Sequence, residues 1–151
     1  MTEQQATQPE FSIQRLYTKD VSFESPSSPQ IFKEEWQPEV SMDLASKSNA
    51  ISENIYDVTL HITVTVKKQG KTVFLVEVHQ AGIFGIKGFQ GEPLDQMLGS
   101  YCPNVLYPYA RELVSSLAVR GGFPPLYLAP VNFDAFYAGQ KQAREKEKTS
   151  A

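Results

Sequence analysis

Cysteine and histidine are scarce in this 151-residue chain, which has one Cys, Cys102, and two His, His61 and His79. A single thiol excludes an internal disulfide framework, and three ligands so far apart make no recognisable zinc spacing. Long apolar runs are also missing, none approaching the ~18 residues a membrane helix needs. Residues 1–10 are polar, without the basic and apolar regions of an export signal. A soluble, cytoplasmic protein with no direct membrane insertion is therefore expected. Basic residues do not exceed acidic ones: 14 Lys+Arg face 17 Asp+Glu, a net charge of −3, which argues against a nucleic-acid binder. Catalytic motifs are absent too. Gly70-Lys71-Thr72 resembles the end of a phosphate loop, but its earlier glycine would fall at Thr65 and the segment joins two strands. Gly82, Gly85, Gly88 and Gly91 recur every third residue and do not fit a dinucleotide fingerprint. With no nucleophile elbow either, no catalytic, cofactor-binding or metal-ligating set is predicted.

What is present is a core. Hydrophobic residues make up 41% and aromatics 11%, too rich for a disordered chain and enough for one ordinary domain. The expected layout is a disordered segment over 1–10, a single domain over 11–140 and a flexible tail over 141–151. Charge is unevenly spread. Residues 1–60 hold ten acidic and four basic side chains, a net of −6, and residues 61–151 hold seven acidic and ten basic, a net of +3.

Alternation of period two predicts four strands. In residues 11–24 the odd positions Phe11, Ile13, Tyr17, Val21 and Phe23 share one face. Ser25-Pro26-Ser27-Ser28-Pro29 then breaks the strand. Phe32, Trp36, Val40, Met42 and Leu44 alternate along a second strand, interrupted by Pro38 and hence at an edge; residues 43–54 suit a loop. Tyr56, Val58, Leu60, Ile62, Val64 and Val66 mark the clearest strand, and Phe74, Val76 and Val78 the fourth. Keeping both apolar sets on one side calls for a three-residue turn over 68–70 with Gly70 left-handed, placing His61 opposite Glu77 and Lys67 opposite Lys71. Residues 81–92 suit a long flexible crossover. A helix follows over 104–120, with Pro108 in its first turn and Gly121-Gly122 as its stop. Residues 123–131 are extended, and Asn132 or Asp134 caps a short last helix carrying Phe133, Phe136 and Tyr137. Strands followed by helices indicate an α+β fold, a four-stranded antiparallel sheet with helices on one face.

Alternation places Asp20, Glu24, Glu35, Glu39, Asp43, Asp57 and Glu77 on the opposite face, with Leu75 among them. For any single one of these carboxylates a solvated sheet face is explanation enough. The aromatics are harder to house: Phe84, Phe89, Tyr101, Tyr107, Tyr109, Phe123 and Tyr127 join those above, more than one sheet face and one long helix cover. An oligomer or a binding groove would take up the excess.

Several segments together resemble the SecB family of bacterial protein-export chaperones. They are Tyr17-Thr18-Lys19-Asp20, Phe23-Glu24, Trp36-Gln37-Pro38-Glu39-Val40, Ala81-Gly82-Ile83-Phe84, Tyr101-Cys102-Pro103-Asn104, Pro108-Tyr109-Ala110-Arg111-Glu112 and Leu128-Ala129-Pro130-Val131-Asn132-Phe133-Asp134-Ala135, in order over about residues 11 to 137. The family's acidic C-terminal tail is not matched, since residues 141–148 are mixed and slightly basic. The resemblance implies an ATP-independent holdase that keeps unfolded precursor proteins export-competent and delivers them to the translocase motor SecA. It also implies a homotetramer, a dimer of dimers with long helices between two eight-stranded sheets. Asp20, Glu24, Leu75 and Glu77 match the family's SecA-binding positions, where the motor's basic, zinc-bearing segment docks; the zinc is the partner's, so neither cofactor nor metal is expected. Client grooves would be lined by Trp36, Val40, Met42, Leu44, Leu126, Leu128, Phe133, Phe136 and Tyr137. The competing possibilities are a small α+β enzyme using His61 or His79 with Glu77, and a SecB-like chaperone dedicated to a toxin–antitoxin pair.

Overall fold

The computed structural model describes residues 8–149. Four antiparallel strands, β1 (Glu10–Glu24), β2 (Glu39–Ser52), β3 (Ile55–Lys68) and β4 (Lys71–Lys87), form one sheet in the order β1-β4-β3-β2. The helices α1 (Glu92–Gln96), α2 (Cys102–Arg120) and α3 (Phe133–Thr149) follow, with a π-helical turn, Met97–Tyr101, joining α1 to α2. The alternation of β3 decides which face is covered. Val58, Leu60, Ile62, Val64 and Val66 are fully buried, each such burial contributing about 1.5–3 kcal/mol. Phe74, Val76, Val78 and Phe84 of β4 join them, and α2 closes the core with Cys102, Leu106, Ala110, Val114 and Ala118, a stripe at every fourth position.

The β3–β4 turn differs from expectation. Lys68 pairs with Lys71 across a two-residue turn, Gln69 and Gly70, both at positive φ (48° and 80°), the geometry that suits the strand twist. The phase is restored one step later by a bulge: Lys67 pairs with Thr72 but Val66 with Phe74. Even residues do face even ones, as Ile62 with Val78, but His61 sits opposite His79 and Glu77 opposite Thr63. Two bulges likewise rephase β1, between Ile13 and Arg15 and between Thr18 and Asp20. Its ends keep the predicted faces while its middle is inverted. Leu16 and Thr18 turn inward, where the Thr18 hydroxyl donates to the buried Gln80 amide oxygen at 3.1 Å. Tyr17 turns outward and donates to Asp57 at 2.7 Å.

Other expectations are corrected by tertiary pairing. Residues 43–52 are strand, not loop, because the edge ladder with β3 satisfies their backbone whatever their side chains. Phe32 and Trp36 leave that strand: a 3₁₀ turn, Gln30–Lys33, and an extended link precede Glu39. Glu35 therefore departs from the sheet, its carbonyl accepting from Lys68 Nζ at 2.7 Å. The crossover shrinks to residues 88–91, since β4 continues to Lys87 between two partners. Gly82 fits inside it because the Phe84 ring lies 2.8 Å from where a Cβ would stand. Pro108 falls inside α2, not in its first turn. It and Asn104, whose carbonyl loses its usual donor, are both exposed, so water can replace the missing bond. The last helix is long: the segment from residue 141 is helical through Thr149. Asn132 caps it by accepting from the Ala135 amide at 3.1 Å. Asp134 instead accepts from Ser100 at 2.6 Å and Gln96 at 3.3 Å, bonds that hold its carboxyl below the ordinary range. Glu10 already pairs with Lys87; the rest of the disordered start expected over 1–10 falls mainly on residues 1–7, outside the described residues.

Two outcomes follow. Gly122 (φ 90°) ends α2 in a Schellman motif, with the Phe123 amide on the Ala118 carbonyl and the Gly122 amide on Val119, both at 3.0 Å. Gly122→Ala should cost about 1–2 kcal/mol from the left-handed backbone and lower the unfolding midpoint at fixed protein concentration. The Asp57 hydrogen bond, then burial, push the Tyr17 phenol up to about 12. The folded state thus keeps a proton that an unfolded phenol releases near pH ~10. The stability this group contributes should be fully present below that pH and be lost as pH rises through about 12; Tyr17→Phe should flatten that fall in alkaline denaturation curves.

Candidate functional site

The outer face of the sheet, away from the helices, is laid out in rows by the pairing register. Glu24, Leu75, Thr65 and Ser41 form one row, Ser22, Glu77, Thr63 and Asp43 the next, and Asp20, His79, His61 and Ala45 the third. These rows hold four carboxylates and no Lys or Arg. Asp20, Glu24 and Asp43 are exposed, Leu75 and Glu77 half-buried. The four predicted docking residues Asp20, Glu24, Leu75 and Glu77 are therefore brought together on adjacent strands, helped by the second β1 bulge, which returns Asp20 to the outer face. Farther along, the face changes character: Lys47 stands opposite Thr59 and Arg15 opposite Ile83. Asp57, counted with the acidic face, is engaged by Tyr17, and Glu35 is absent from it. Glu39, also counted with the acidic face, stands opposite Lys67 just beyond the first row. The uncompensated negative charge is thus confined to the three rows, where like-charged carboxylates favour a cationic partner over an anionic one.

The helix side carries the apolar candidates, but unevenly. Trp36 and Val40 are 40% and 45% exposed, whereas Met42, Leu44, Leu126 and Phe136 are half-buried against the core. Leu128, Phe133 and Tyr137 are buried. Phe123 is the hub of an aromatic cluster, its ring 5.2 Å from Phe32, 5.8 Å from Trp36 and 4.9 Å from Phe74. Phe32, Trp36, Pro38, Val73 and Phe123 line an opening of about 150 Å³ with the Lys68 and Glu34 side chains at its rim. Phe32 and Phe123 line this opening and are absent from the predicted client set. Strand alternation suggested the wrong element for Phe32, and Phe123 is recognisable only once the chain folds back after α2.

Tyr107 and Tyr137 belong to the scaffold. The Tyr107 hydroxyl donates to the Ala129 carbonyl at 2.5 Å and its ring packs 5.6 Å from Phe133, fixing the extended segment after α2. Burial raises its phenol, against the opposing pull of Arg111. Tyr137 packs over Gly99 in the π turn, 2.5 Å from where a Cβ would stand, and donates to Glu92 at 3.0 Å. Lys141 also reaches Glu92, at 2.8 Å, and together they hold its carboxyl below the ordinary range. Cys102 lies at the start of α2, its thiol pushed up to about 12 by burial, which removes it as a nucleophile near neutral pH. His61, Glu77 and His79 do converge on the outer face, with ligating atoms within 4.8 Å of one another.

Among known proteins, a family model described as preprotein translocase subunit SecB matches residues 4–144. The protein-export protein SecB of Nitrosococcus oceani is 55% identical over 146 residues, 95% of this chain and 89% of that protein. Among solved structures, a Mycobacterium tuberculosis SecB-like chaperone in complex with a peptide from an antitoxin superposes with a TM-score of 0.66, covering 80% of this chain and 90% of its own at 17% identity. A Streptococcus agalactiae protein of unknown function reaches 0.50 at 10% identity over 81% and 98% of the two chains. Those two similarities concern the fold alone, and they agree with the four-stranded antiparallel sheet and its helices. The match along nearly the whole chain places this protein in the SecB family.

Proposed function

We propose that this chain is an ATP-independent chaperone that holds unfolded precursor proteins and delivers them to the SecA motor in the cytoplasm, without an enzymatic activity of its own. The carrying observation is the separation of two chemistries by one sheet: three neighbouring rows of the outer face that hold Asp20, Glu24, Asp43, Glu77 and Leu75 without a Lys or Arg, and exposed apolar surface on the helix side. The export role has the stronger support over a dedicated antitoxin chaperone, since the relative at 55% identity is an export protein and the one solved with an antitoxin peptide is 17% identical.

Clients would enter on the helix side. Phe32, Trp36, Val40 and Tyr127 are exposed apolar side chains, Met42, Leu44, Leu126 and Phe136 are half-buried against the core, and Leu128, Phe133 and Tyr137 are buried, so the exposed set would make the first contacts. One anchor contributes about 1.5–3 kcal/mol, whereas micromolar affinity requires about 8.2 kcal/mol, so a client must engage several sites. A homotetramer built as a dimer of dimers supplies them and raises affinity through effective concentration. Its interfaces have raw material: Ile13 and Val21 remain 47% and 41% exposed on the helix side of β1, and Tyr109 and Val119 on the flank of α2 away from its buried stripe. No membrane-crossing segment is called for; among the described residues no helix is long and apolar enough to cross a membrane.

Suppression of aggregation of an unfolded protein in the absence of nucleotide tests the chaperone directly. Trp36→Ala combined with Phe32→Ala should weaken client binding by about tenfold or less, as expected for one anchor among several, while sedimentation still reports a tetramer. A stable monomer at micromolar concentration would count against the oligomer. Asp20→Ala with Glu77→Ala should reduce binding of the motor's basic segment by at least about tenfold, and the wild-type interaction should weaken with added salt. Binding unaffected by several hundred millimolar salt would rule out electrostatic docking at this face.

A further inference from the structure

Among the described residues, one group of three side chains combines metal-ligating atoms: His61, Glu77 and His79. We propose that they form a site for a zinc-class divalent cation on the outer face of the sheet, a property that does not depend on the chaperone function above. The β3–β4 register sets His61 directly across from His79, and Glu77, two residues before His79, points to the same face on the diagonal. The two imidazole rings stand 3.8 Å apart, centroid to centroid, inclined by 48°. One nitrogen from each ring and a Glu77 oxygen all fall within 4.8 Å of one another, and all three residues are half-buried.

An observation independent of this convergence also points to a ligand. The Nε2 atom of His61 is buried without a hydrogen-bond partner, although buried polar atoms are normally satisfied. Nor does an ion pair join Glu77 to either imidazole among the described residues. A cation held between the three groups would satisfy the nitrogen and neutralise the carboxylate together.

The donor set selects the metal. Two imidazole nitrogens and one carboxylate oxygen suit zinc and its first-row neighbours, whereas calcium and magnesium require oxygen ligands. Ligands around tetrahedral zinc, at bonds of about 2.0–2.1 Å, stand about 3.3 Å apart. Closing from 4.8 Å needs only side-chain rotation on a fixed ladder. Asp20, the β1 partner of His79, stands in the same row beside the cluster and adds negative charge that favours a cation there.

Only two histidines and one buried cysteine occur in the chain, so mutation can assign the site cleanly. Metal-free full-length protein titrated with zinc chloride by calorimetry should bind one zinc per chain, and cobalt should give the absorption bands of a low-symmetry, tetrahedral-like site. His61→Gln and His79→Gln should each weaken zinc by about tenfold or more and Glu77→Gln by about tenfold, a range in keeping with loss of a ligand-sphere contact. Asp43→Asn, on the same face, should leave affinity unchanged. Circular dichroism of every variant checks the fold, and shifts of the histidine ring signals on zinc addition read the wild-type site without mutation. The proposal is overturned if zinc binding survives His61→Gln, His79→Gln together, or if wild-type protein takes up no stoichiometric zinc below about 100 µM, an affinity of roughly 5.5 kcal/mol.

Discussion

Everything on both faces of this protein depends on the ladder between β3 and β4. Because side chains alternate with a period of two, a slip of one residue would send Val58, Leu60, Ile62, Val64 and Val66 to solvent and their polar neighbours into the core. The cost of exposing five fully buried aliphatic side chains holds that register. With β4 paired on both sides, to β1 and to β3, the same constraint sets the position of β1. The bulges at Val73 and in β1 allow tight turns and strands of differing phase to meet it.

Fixing the inner face fixes the outer one. Once Val76 and Val78 point to the helices, Leu75, Glu77 and His79 must point away, and β1 contributes Asp20 and Glu24 beside them. The acidic rows and the His61–Glu77–His79 cluster therefore arise from one packing decision, and Glu77 belongs to both. On the helix side, the Schellman turn after α2 sends the chain back so that Phe123 reaches Phe32, Trp36 and Phe74. The apolar opening lies beside these rings.

Elements with strong alternation were legible from residues alone: β3, the start of β4, the ends of β1, and the stop of α2 at Gly121-Gly122. The placement of Asp20, Glu24, Leu75 and Glu77 on one face was legible for the same reason. Serine-rich residues 46–52 and the glycines of β4 were not, because their strand state comes from pairing partners, not from their own preferences. Pro108 within α2 and Tyr17 beside Asp57 were hidden likewise. The first depends on which helix carbonyl remains in water; the second depends on two bulges that leave no periodic trace.

Sequence by itself determined the fold class, the side of the sheet that the helices cover, the family resemblance and the shared outer face of Asp20, Glu24, Leu75 and Glu77, since each follows from short-range patterning or from residue order. Only the tertiary structure decided which aromatics line the opening beside Phe123 and which hold the scaffold, and that His61 faces His79 instead of Glu77. Those outcomes turn on register, and register is set by the burial energy of the whole sheet rather than by any local run of residues.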